Sequence, residues 1–150
     1  RAAALIVLDA YAVLAFLKGE AASHEVRALL QSGEPSALTV VGVAEALDHL
    51  IRVVGSDEEE AALDLAQLDL LDPLDLGEAT AAAAGRLRAR HYHRTQCAVS
   101  LADCLAAEAT RRLDGQLATS DPHLLEVCHR ESIATVVLTA SDGTRWAPAP

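Results

Sequence analysis

Short aliphatic runs alternate with stretches of helical periodicity, and this alternation restricts the fold of the chain more than any other feature. Residues 3–8 are aliphatic throughout, which is the pattern of a strand buried on both faces. From residue 10 the apolar residues recur at helical spacing until Gly19 supplies a stop. Strands that alternate with helices predict an α/β fold, a three-layer α/β/α sandwich around a central parallel sheet of four to five strands.

The remaining elements are predicted from the same two periodicities. Ser56 and Glu59 have the spacing of a capping box with Ser56 as the cap, so the acidic run there is interpreted as a solvated helix start. Residues 1–146 are expected to form a single domain and 147–150 a disordered tail. The sequence predicts helices over residues 21–31, 42–54, 78–91, 101–113 and 121–130, and strands over 36–40, 116–119 and 133–138.

Composition and charge argue against several classes of protein. The 150 residues carry a net charge of −10, and a field of that sign repels nucleic acid, so any phosphate chemistry must be local. Three cysteines without CxxC spacing predict reduced, buried thiols in a cytoplasmic protein. No apolar run approaches the roughly 18 residues of a membrane span. Asp9 also interrupts the first run too early for a signal peptide.

Four carboxylates lie where apolar segments end: Asp9, Glu45, Asp103 and Asp121. Ligands of open parallel sheets bind beyond the carboxyl ends of the strands, which is where the predicted strand-to-helix junctions place Asp9 and Asp121. Glu45 and Asp103 are expected in the first turns of their helices, where the helix dipole favours anions. Carboxylates that converge repel one another and need a cation. An all-oxygen set of ligands suits Mg²⁺ or Mn²⁺.

Helix capping is the alternative explanation for each acid taken alone. Asp121 before Pro122 fits a capping Asp followed by proline at the first helical position. Asp103 could serve only to complement a helix dipole. Asp9 and Glu45 fit this explanation less well, because apolar residues flank each of them closely. The four acids taken together favour a functional site.

Four segments, each built around one of these carboxylates, carry a resemblance to a known family. They are Leu8–Ala15, Val43–Leu47, Ser100–Ala107 and Leu117–Asp121. Their residues, order and spacing resemble the four acidic motifs of PIN-domain ribonucleases, and most of all the VapC toxins of bacterial toxin–antitoxin pairs. The resemblance covers nearly the whole chain.

The sequence departs from the family's pattern at Tyr11, where a small hydroxyl residue is usual. Thr119 and Ser120 are the candidates to supply that hydroxyl instead. The departure bears on how water and metal are arranged in the site, and leaves the expected class of activity unchanged.

The resemblance implies a metal-dependent endoribonuclease that cleaves RNA phosphodiester bonds and leaves a 3′-hydroxyl and a 5′-phosphate. Under this hypothesis Asp9, Asp103 and Asp121 hold Mg²⁺ or Mn²⁺, and Glu45 orients or deprotonates the attacking water or holds a second ion. Similarity to the toxins implies a homodimer and a cognate antitoxin protein. The alternatives are a housekeeping RNA-processing nuclease and a non-catalytic protein-binding module of the same fold.

One stretch of the acidic chain is basic, and its cluster of cations has two explanations. Its cations could grip the RNA backbone, or they could gather at a helix C-terminus to suit the helix dipole. His49, four residues after Glu45, is expected to hydrogen-bond that carboxylate. His123 and His129 are expected to be surface residues. The arginines of the basic stretch are Arg86, Arg88, Arg90 and Arg94.

Overall fold

A computed structural model describes residues 4–150, and a sheet of four parallel strands runs through its centre. The strands lie in the order β2-β1-β3-β4, and each neighbouring pair is parallel. The prediction of an α/β fold with a central parallel sheet is therefore confirmed. In chain order the strands are β1 (Ile6–Leu8), β2 (Ser36–Ala37), β3 (Gln116–Thr119) and β4 (Thr135–Val137).

Helices provide the connections that parallel strands require. The described residues contain seven α-helices, and a π-helical turn over Leu50–Val54 extends the third. The helices are α1 (Ala10–Lys18), α2 (Ser23–Gln31), α3 (Val40–His49), α4 (Glu58–Ala66), α5 (Glu78–His91), α6 (Leu101–Arg112) and α7 (Pro122–Arg130).

β1 is buried on both faces, as its unbroken aliphatic sequence predicted. Val7 packs into an apolar cluster with residues of α5, α6 and α7. Ile6 and Leu8 pack into a second cluster with residues of α1 and α2. Successive side chains of a strand point to opposite faces, so this short strand holds two helical layers together. Each fully buried aliphatic side chain contributes roughly 1.5–3 kcal/mol to folding.

The two central strands approach closely where β3 begins. A Cβ atom at Gly115 would lie 2.6 Å from the backbone oxygen of Leu5, a distance that no side chain tolerates. The same oxygen accepts a hydrogen bond of 2.9 Å from the backbone N–H of Gln116. Glycine at position 115 thus permits the β1–β3 ladder to form.

Two predicted boundaries around α3 were wrong. The strand expected over residues 36–40 ends at Ala37, and the helix expected from residue 42 begins at Val40. The reason is local: the hydroxyl of Thr39 accepts a 2.9 Å hydrogen bond from the backbone N–H of Gly42 and caps the helix. The fifth strand that the sequence allowed is reduced, within residues 4–150, to a single bridge between Thr39 and Leu74.

The predicted capping box at Ser56 was also wrong, by one residue. Asp57 is the cap of α4, and its side chain accepts a 2.9 Å hydrogen bond from the backbone N–H of Glu60. The N–H of Ser56 instead donates to the oxygen of Leu50 and ends the π-helical turn, while Gly55 takes a positive φ of 86°. The helix can therefore start only after Ser56.

The three cysteines are free and buried, as predicted. Within residues 4–150 no helix combines the length and the apolar character that crossing a membrane requires. Trp146 lies edge-on to His129, with ring centroids 5.9 Å apart, and residues 147–150 carry no helix or strand. The domain boundary at residue 146 and the disorder of the tail stay predictions. Ala3, the predicted start of the first strand, lies outside the described residues.

An ion-pair network fastens the layer formed by α5, α6 and α7. Glu131 follows α7 and accepts hydrogen bonds from Arg90 at 3.0 Å, His91 at 2.8 Å and Arg111 at 2.8 Å. The hydrogen bond from His91 and those from the two guanidinium groups lower the pKa of Glu131 to about 2. Because the carboxylate is largely buried, with 18% of its side chain exposed, these contacts outweigh the cost of its desolvation.

We expect Glu131→Gln to lower the free energy of unfolding by about 2 kcal/mol at pH 7, since it removes charge-assisted hydrogen bonds. A carboxyl whose folded pKa is depressed stabilises the fold above its unfolded pKa. The difference between the two proteins should therefore shrink as the pH falls through the range from 4.5 towards 2. Urea unfolding at several pH values measures it.

Glu126→Gln is the matched control, because Glu126 lies on α7 and pairs with Arg130 in a more exposed i,i+4 ion pair. Such pairs contribute less than about 1 kcal/mol. Equal losses in the two variants, or a loss in Glu131→Gln that does not depend on pH, would contradict a structural role for the network.

Candidate functional site

Asp9 lies at the junction between β1 and α1, where the sequence predicted it. Its backbone N–H donates to the oxygen of Ala118, 3.0 Å away, which continues the β1–β3 ladder. Its side chain caps α1 and accepts a long hydrogen bond of 3.4 Å from the N–H of Tyr11. Only 7% of the residue is exposed, so its carboxylate is largely removed from water.

Thr119, the last residue of β3, connects Asp9 to Asp121. Its buried hydroxyl donates to Oδ2 of Asp9 at 2.8 Å and accepts from the backbone N–H of Asp121 at 3.1 Å. Asp121 in turn caps α7 through Oδ1, which accepts from the N–H groups of His123 and Leu124. The geometry is that of the capping alternative, and it also brings Asp121 to the same edge of the sheet as Asp9.

Asp103 lies in the first turn of α6, as expected. It forms a capping box with Ser100: the N–H of Ser100 donates to Oδ2 of Asp103, and the Ser100 hydroxyl accepts from the N–H of Asp103. Within residues 4–150, Oδ1 of Asp103 and Oδ2 of Asp121 have no hydrogen-bond partner. Each acid thus accepts its hydrogen bonds through one oxygen, and the other oxygen has no partner among residues 4–150.

Glu45 lies in the second turn of α3, and its placement in the first turn was wrong because the helix begins at Val40. The residue still lies within electrostatic range of Asp103, whose charge acts on it. The expected hydrogen bond between His49 and Glu45 is absent from the described residues. Nε2 of His49 lies 3.3 Å from Nζ of Lys18 instead.

Asp9, Asp103 and Asp121 lie within electrostatic range of one another, and Glu45 lies within range of Asp103. The pKa of Asp9 is raised to about 7: burial and the charges of Asp103 and Asp121 raise it, and the hydrogen bonds from Thr119 and Tyr11 oppose the rise. Burial and the charge of Asp121 raise the pKa of Asp103, and burial and the charge of Asp103 raise that of Glu45. Such mutual repulsion is what a bound cation relieves.

The donor set is compatible with a hard divalent cation, although it is not a closed cage. Within residues 4–150, no three side chains of Asp, Glu, His or Cys are close enough together to surround an ion. Mg²⁺ commonly keeps several waters and binds through one or two carboxylates, so a looser arrangement of oxygen ligands suits it. The candidates for such ligands are the oxygens of Asp103 and Asp121 that have no partner among residues 4–150, together with the desolvated Asp9.

The basic stretch lies partly in structural contacts. Nε of Arg88 donates to the oxygen of Val99 at 2.9 Å, and its guanidinium lies over the ring of Tyr92 at 4.1 Å. Arg90 belongs to the Glu131 network. Arg86 and Arg94 are exposed, with no ion pair among the described residues. RNA binding by the four arginines stays a prediction, and Arg88 and Arg90 have structural roles that the sequence did not reveal.

A cavity of about 450 Å³ opens beside two of the four acids: Asp9 and Asp121 line it together with Ser120, and Glu45 and Asp103 do not. Sequence reasoning missed that Tyr11, Lys18 and His49 line the same cavity. It treated Tyr11 only as a departure from the family's pattern, and it assigned no function to Lys18. The sequence did contain a signal for this. Tyr11 and Lys18 are seven residues apart, so on a helix they share one face, and Tyr11 lies only two residues after Asp9.

Comparison with known proteins agrees with this architecture. Residues 6–130 match the family model of the PIN domain. No curated protein sequence matches the chain significantly. Three solved structures share its fold at 14–18% identity, which establishes the fold alone.

The first is VapBC2 from Rickettsia felis, bound to a DNA fragment from its promoter, with 16% identity and a TM-score of 0.65 over 88% of this chain and 97% of that one. The second is FitAcB from Neisseria gonorrhoeae, with 18% identity and a TM-score of 0.63 over 87% and 95% of the two chains. The third is a toxin–antitoxin complex from Klebsiella pneumoniae, with 14% identity and a TM-score of 0.58 over 77% and 86%. Because the PIN-domain family model matches most of the length of this chain, the chain belongs to the PIN-domain family.

Proposed function

We propose that this protein is a metal-dependent endoribonuclease and the toxin of a toxin–antitoxin pair. PIN domains are generally nucleases, which supports phosphodiester hydrolysis. Toxin–antitoxin assemblies among the structural neighbours support the toxin role. An antitoxin partner, a homodimer and a cytoplasmic location belong to the same proposal, since both the RNA substrate and the antitoxin are encountered there.

The observation that carries the proposal is the buried carboxylate of Asp9. A desolvated acid with a pKa of about 7, beside two further carboxylates, is costly to the fold unless something positive accompanies it. Perturbed acids of this kind cluster at functional sites. Structural capping needs no such burial, because an exposed carboxylate caps a helix equally well.

A bound Mg²⁺ or Mn²⁺ would supply activation of water and neutralisation of charge on the scissile phosphate. Asp9, Asp103 and Asp121 are the residues proposed to hold it, through their oxygens and intervening waters. The hydroxyl of Thr119 orients Oδ2 of Asp9, as outer-shell hydrogen bonds orient the ligands of metal sites. Glu45 is more accessible than Asp9, and we assign it the role of orienting or deprotonating the attacking water, or of holding a second ion.

We expect the unsubstituted protein to cleave single-stranded RNA with Mg²⁺ or Mn²⁺ and to lose all cleavage in EDTA. Asp9→Asn should lower the cleavage rate more than about 100-fold, because it removes a proposed metal ligand itself and not merely a residue that orients a ligand. Thr119→Val should lose roughly 10–100-fold, as expected for a residue that orients a ligand. A labelled RNA, with its product ends analysed on a gel, measures each rate.

Asp114→Asn is the matched control for Asp9→Asn. Asp114 is exposed, lies in the turn before β3 at the opposite edge of the sheet, and has a positive φ of 51° that Asn also tolerates. Its cleavage rate should equal that of the unsubstituted protein. Cleavage that persists in EDTA, or an Asp9→Asn variant as active as Asp114→Asn, would refute the proposed metal chemistry.

Without metal, Asp9 should lower stability at neutral and higher pH. The folded protein keeps a proton on Asp9 that the unfolded chain releases, so unfolding becomes easier as the pH rises from about 4 to about 7. Asp9→Asn should lack this dependence and should be more stable in EDTA at pH 8, by a difference on the order of 4 kcal/mol at most. Denaturant unfolding at pH 4, 6 and 8 measures the difference.

Added Mg²⁺ should raise the melting temperature of the unsubstituted protein and leave that of Asp9→Asn nearly unchanged, because only the former retains the ligand. Equal stabilisation of both proteins would place the ion elsewhere. A pH dependence identical in the two proteins would show that Asp9 is not the acid whose protonation is coupled to folding.

The toxin role has its own test. Induced expression of the chain in a bacterial host should stop growth, expression of Asp9→Asn should not, and expression of Asp114→Asn should. Co-expression of a small open reading frame adjacent to the gene should restore growth if it encodes the antitoxin. Normal growth despite metal-dependent RNA cleavage by the purified protein would favour the housekeeping alternative.

A further inference from the structure

One face of α1 follows the cavity beside the acids along the length of the helix. Tyr11, Leu14, Ala15 and Lys18 all line this cavity. They are spaced three, four and seven residues apart and so share one side of the helix. Asp9 caps the start of α1 and Lys18 is its last residue, nine residues further on, which corresponds to about 13 Å along the axis. The cavity thus extends well beyond the space that one phosphate occupies.

The ring of Tyr11 projects from this face next to the acids. It is 57% exposed, whereas Asp9, two residues before it, is almost fully buried. The imidazole of His49 meets it edge-on, with ring centroids 5.9 Å apart and the planes at 79°. An edge contact on one side fixes the orientation of the ring. A ring so held and so exposed is a platform on which a base can stack.

Lys18 supplies a cation in the same cavity. It is the one lysine of the chain, and its Nζ lies 2.9 Å from Oε1 of Glu20 and 3.3 Å from Nε2 of His49. An ammonium can only donate hydrogen bonds, so Nε2 of His49 accepts from it. His49 therefore positions both the ring of Tyr11 and the amine of Lys18. Lys18 is the only lysine or arginine among the described residues that line the cavity. Glu20 and His49 take two of its three N–H donors, which leaves the third to bind a phosphate oxygen.

Taking the proposed nuclease function as given, we propose that Tyr11, His49 and Lys18 form a nucleotide subsite for single-stranded RNA. The base next to the scissile phosphate stacks on Tyr11, and a neighbouring phosphate binds Lys18. His49 is a positioning residue for both. Stacking on an aromatic ring requires an unpaired base, so the subsite selects unstructured RNA over duplex.

A purely structural account explains part of this arrangement. A lysine in the last turn of α1 complements the negative end of the helix dipole, and Glu20 pairs with it. That account does not explain an exposed ring held at the mouth of the acidic site. It also predicts that substitutions of Tyr11 and Lys18 change stability and leave RNA affinity unchanged.

Measuring RNA binding without cleavage distinguishes the nucleotide subsite from the purely structural account. The probe is a fluorescent single-stranded RNA decamer, titrated with protein in the Asp9→Asn background so that it is not cleaved. Tyr11→Leu should weaken binding about 5- to 150-fold, which is the range for the loss of one stacked base. Tyr11→Phe keeps the ring and should bind within about twofold of the Tyr11 protein.

Lys18→Gln should weaken binding and reduce the slope of log affinity against log salt by about 0.7, the value for one lost contact to a single strand. Arg112→Gln is the matched control, because Arg112 is an exposed cation at the end of α6 that does not line the cavity. It should leave both the affinity and the slope nearly unchanged. Melting temperatures of all variants establish that they are folded.

In the active protein, Tyr11→Leu and Lys18→Gln should raise KM and leave kcat within about threefold, as expected when substrate and transition state lose the same contact. A fall in kcat at unchanged KM would overturn the subsite and place these residues in the chemistry. RNA affinity and salt slope unchanged in Tyr11→Leu and Lys18→Gln would also overturn it, even if the unsubstituted protein cleaves RNA.

Failure of the nuclease proposal gives a different result. If the unsubstituted protein does not cleave RNA with either metal, and Tyr11→Leu still weakens binding of the decamer while Tyr11→Phe does not, the nuclease is refuted and the subsite stands. If no variant binds the decamer at all, the subsite is refuted.

Discussion

The hydrogen bond from the hydroxyl of Thr119 to the carboxylate of Asp9 is the contact on which the arrangement of the acidic edge depends. It joins the ends of the two central strands, and the same hydroxyl accepts from the backbone of Asp121. One small side chain thereby sets the distance between two acids that repel each other. Burial, and after it the charges of Asp103 and Asp121, raises the pKa of Asp9, and a bound cation would oppose this by favouring the ionised form.

Much of the fold could be predicted because periodicity reports burial. The unbroken aliphatic run before Asp9 indicated a strand covered on both faces, and both clusters that cover it are present. The errors lie at the ends of helices and strands, where a single hydrogen bond decides at which residue the element begins. Thr39 starts a helix two residues early, and Asp57 takes the capping role expected of Ser56. Spacing alone does not distinguish adjacent residues that are both good caps.

The site could be predicted only in part, for a related reason. Asp9 and Asp121 follow strands, and parallel topology alone places them at one edge of the sheet. The surroundings of Tyr11 depend instead on α1 packing beside the end of α3, some 30 residues away, and the sequence does not reveal that pairing. The hydrogen bond between Lys18 and His49 spans the same separation, so each residue had to be interpreted locally and was assigned the wrong neighbour or none.

The close approach of the backbone at Gly115 makes the position of Thr119 depend on the absence of a side chain at residue 115. Gly115 immediately precedes β3, whose last residue, Thr119, lies about 13 Å further along, so a methyl group at position 115 would displace the strand and shift the hydroxyl at its far end. Loss-of-function alleles could therefore arise at position 115 with every acid intact. A catalogue of homologues that counts only the acids would not detect a displacement of this kind.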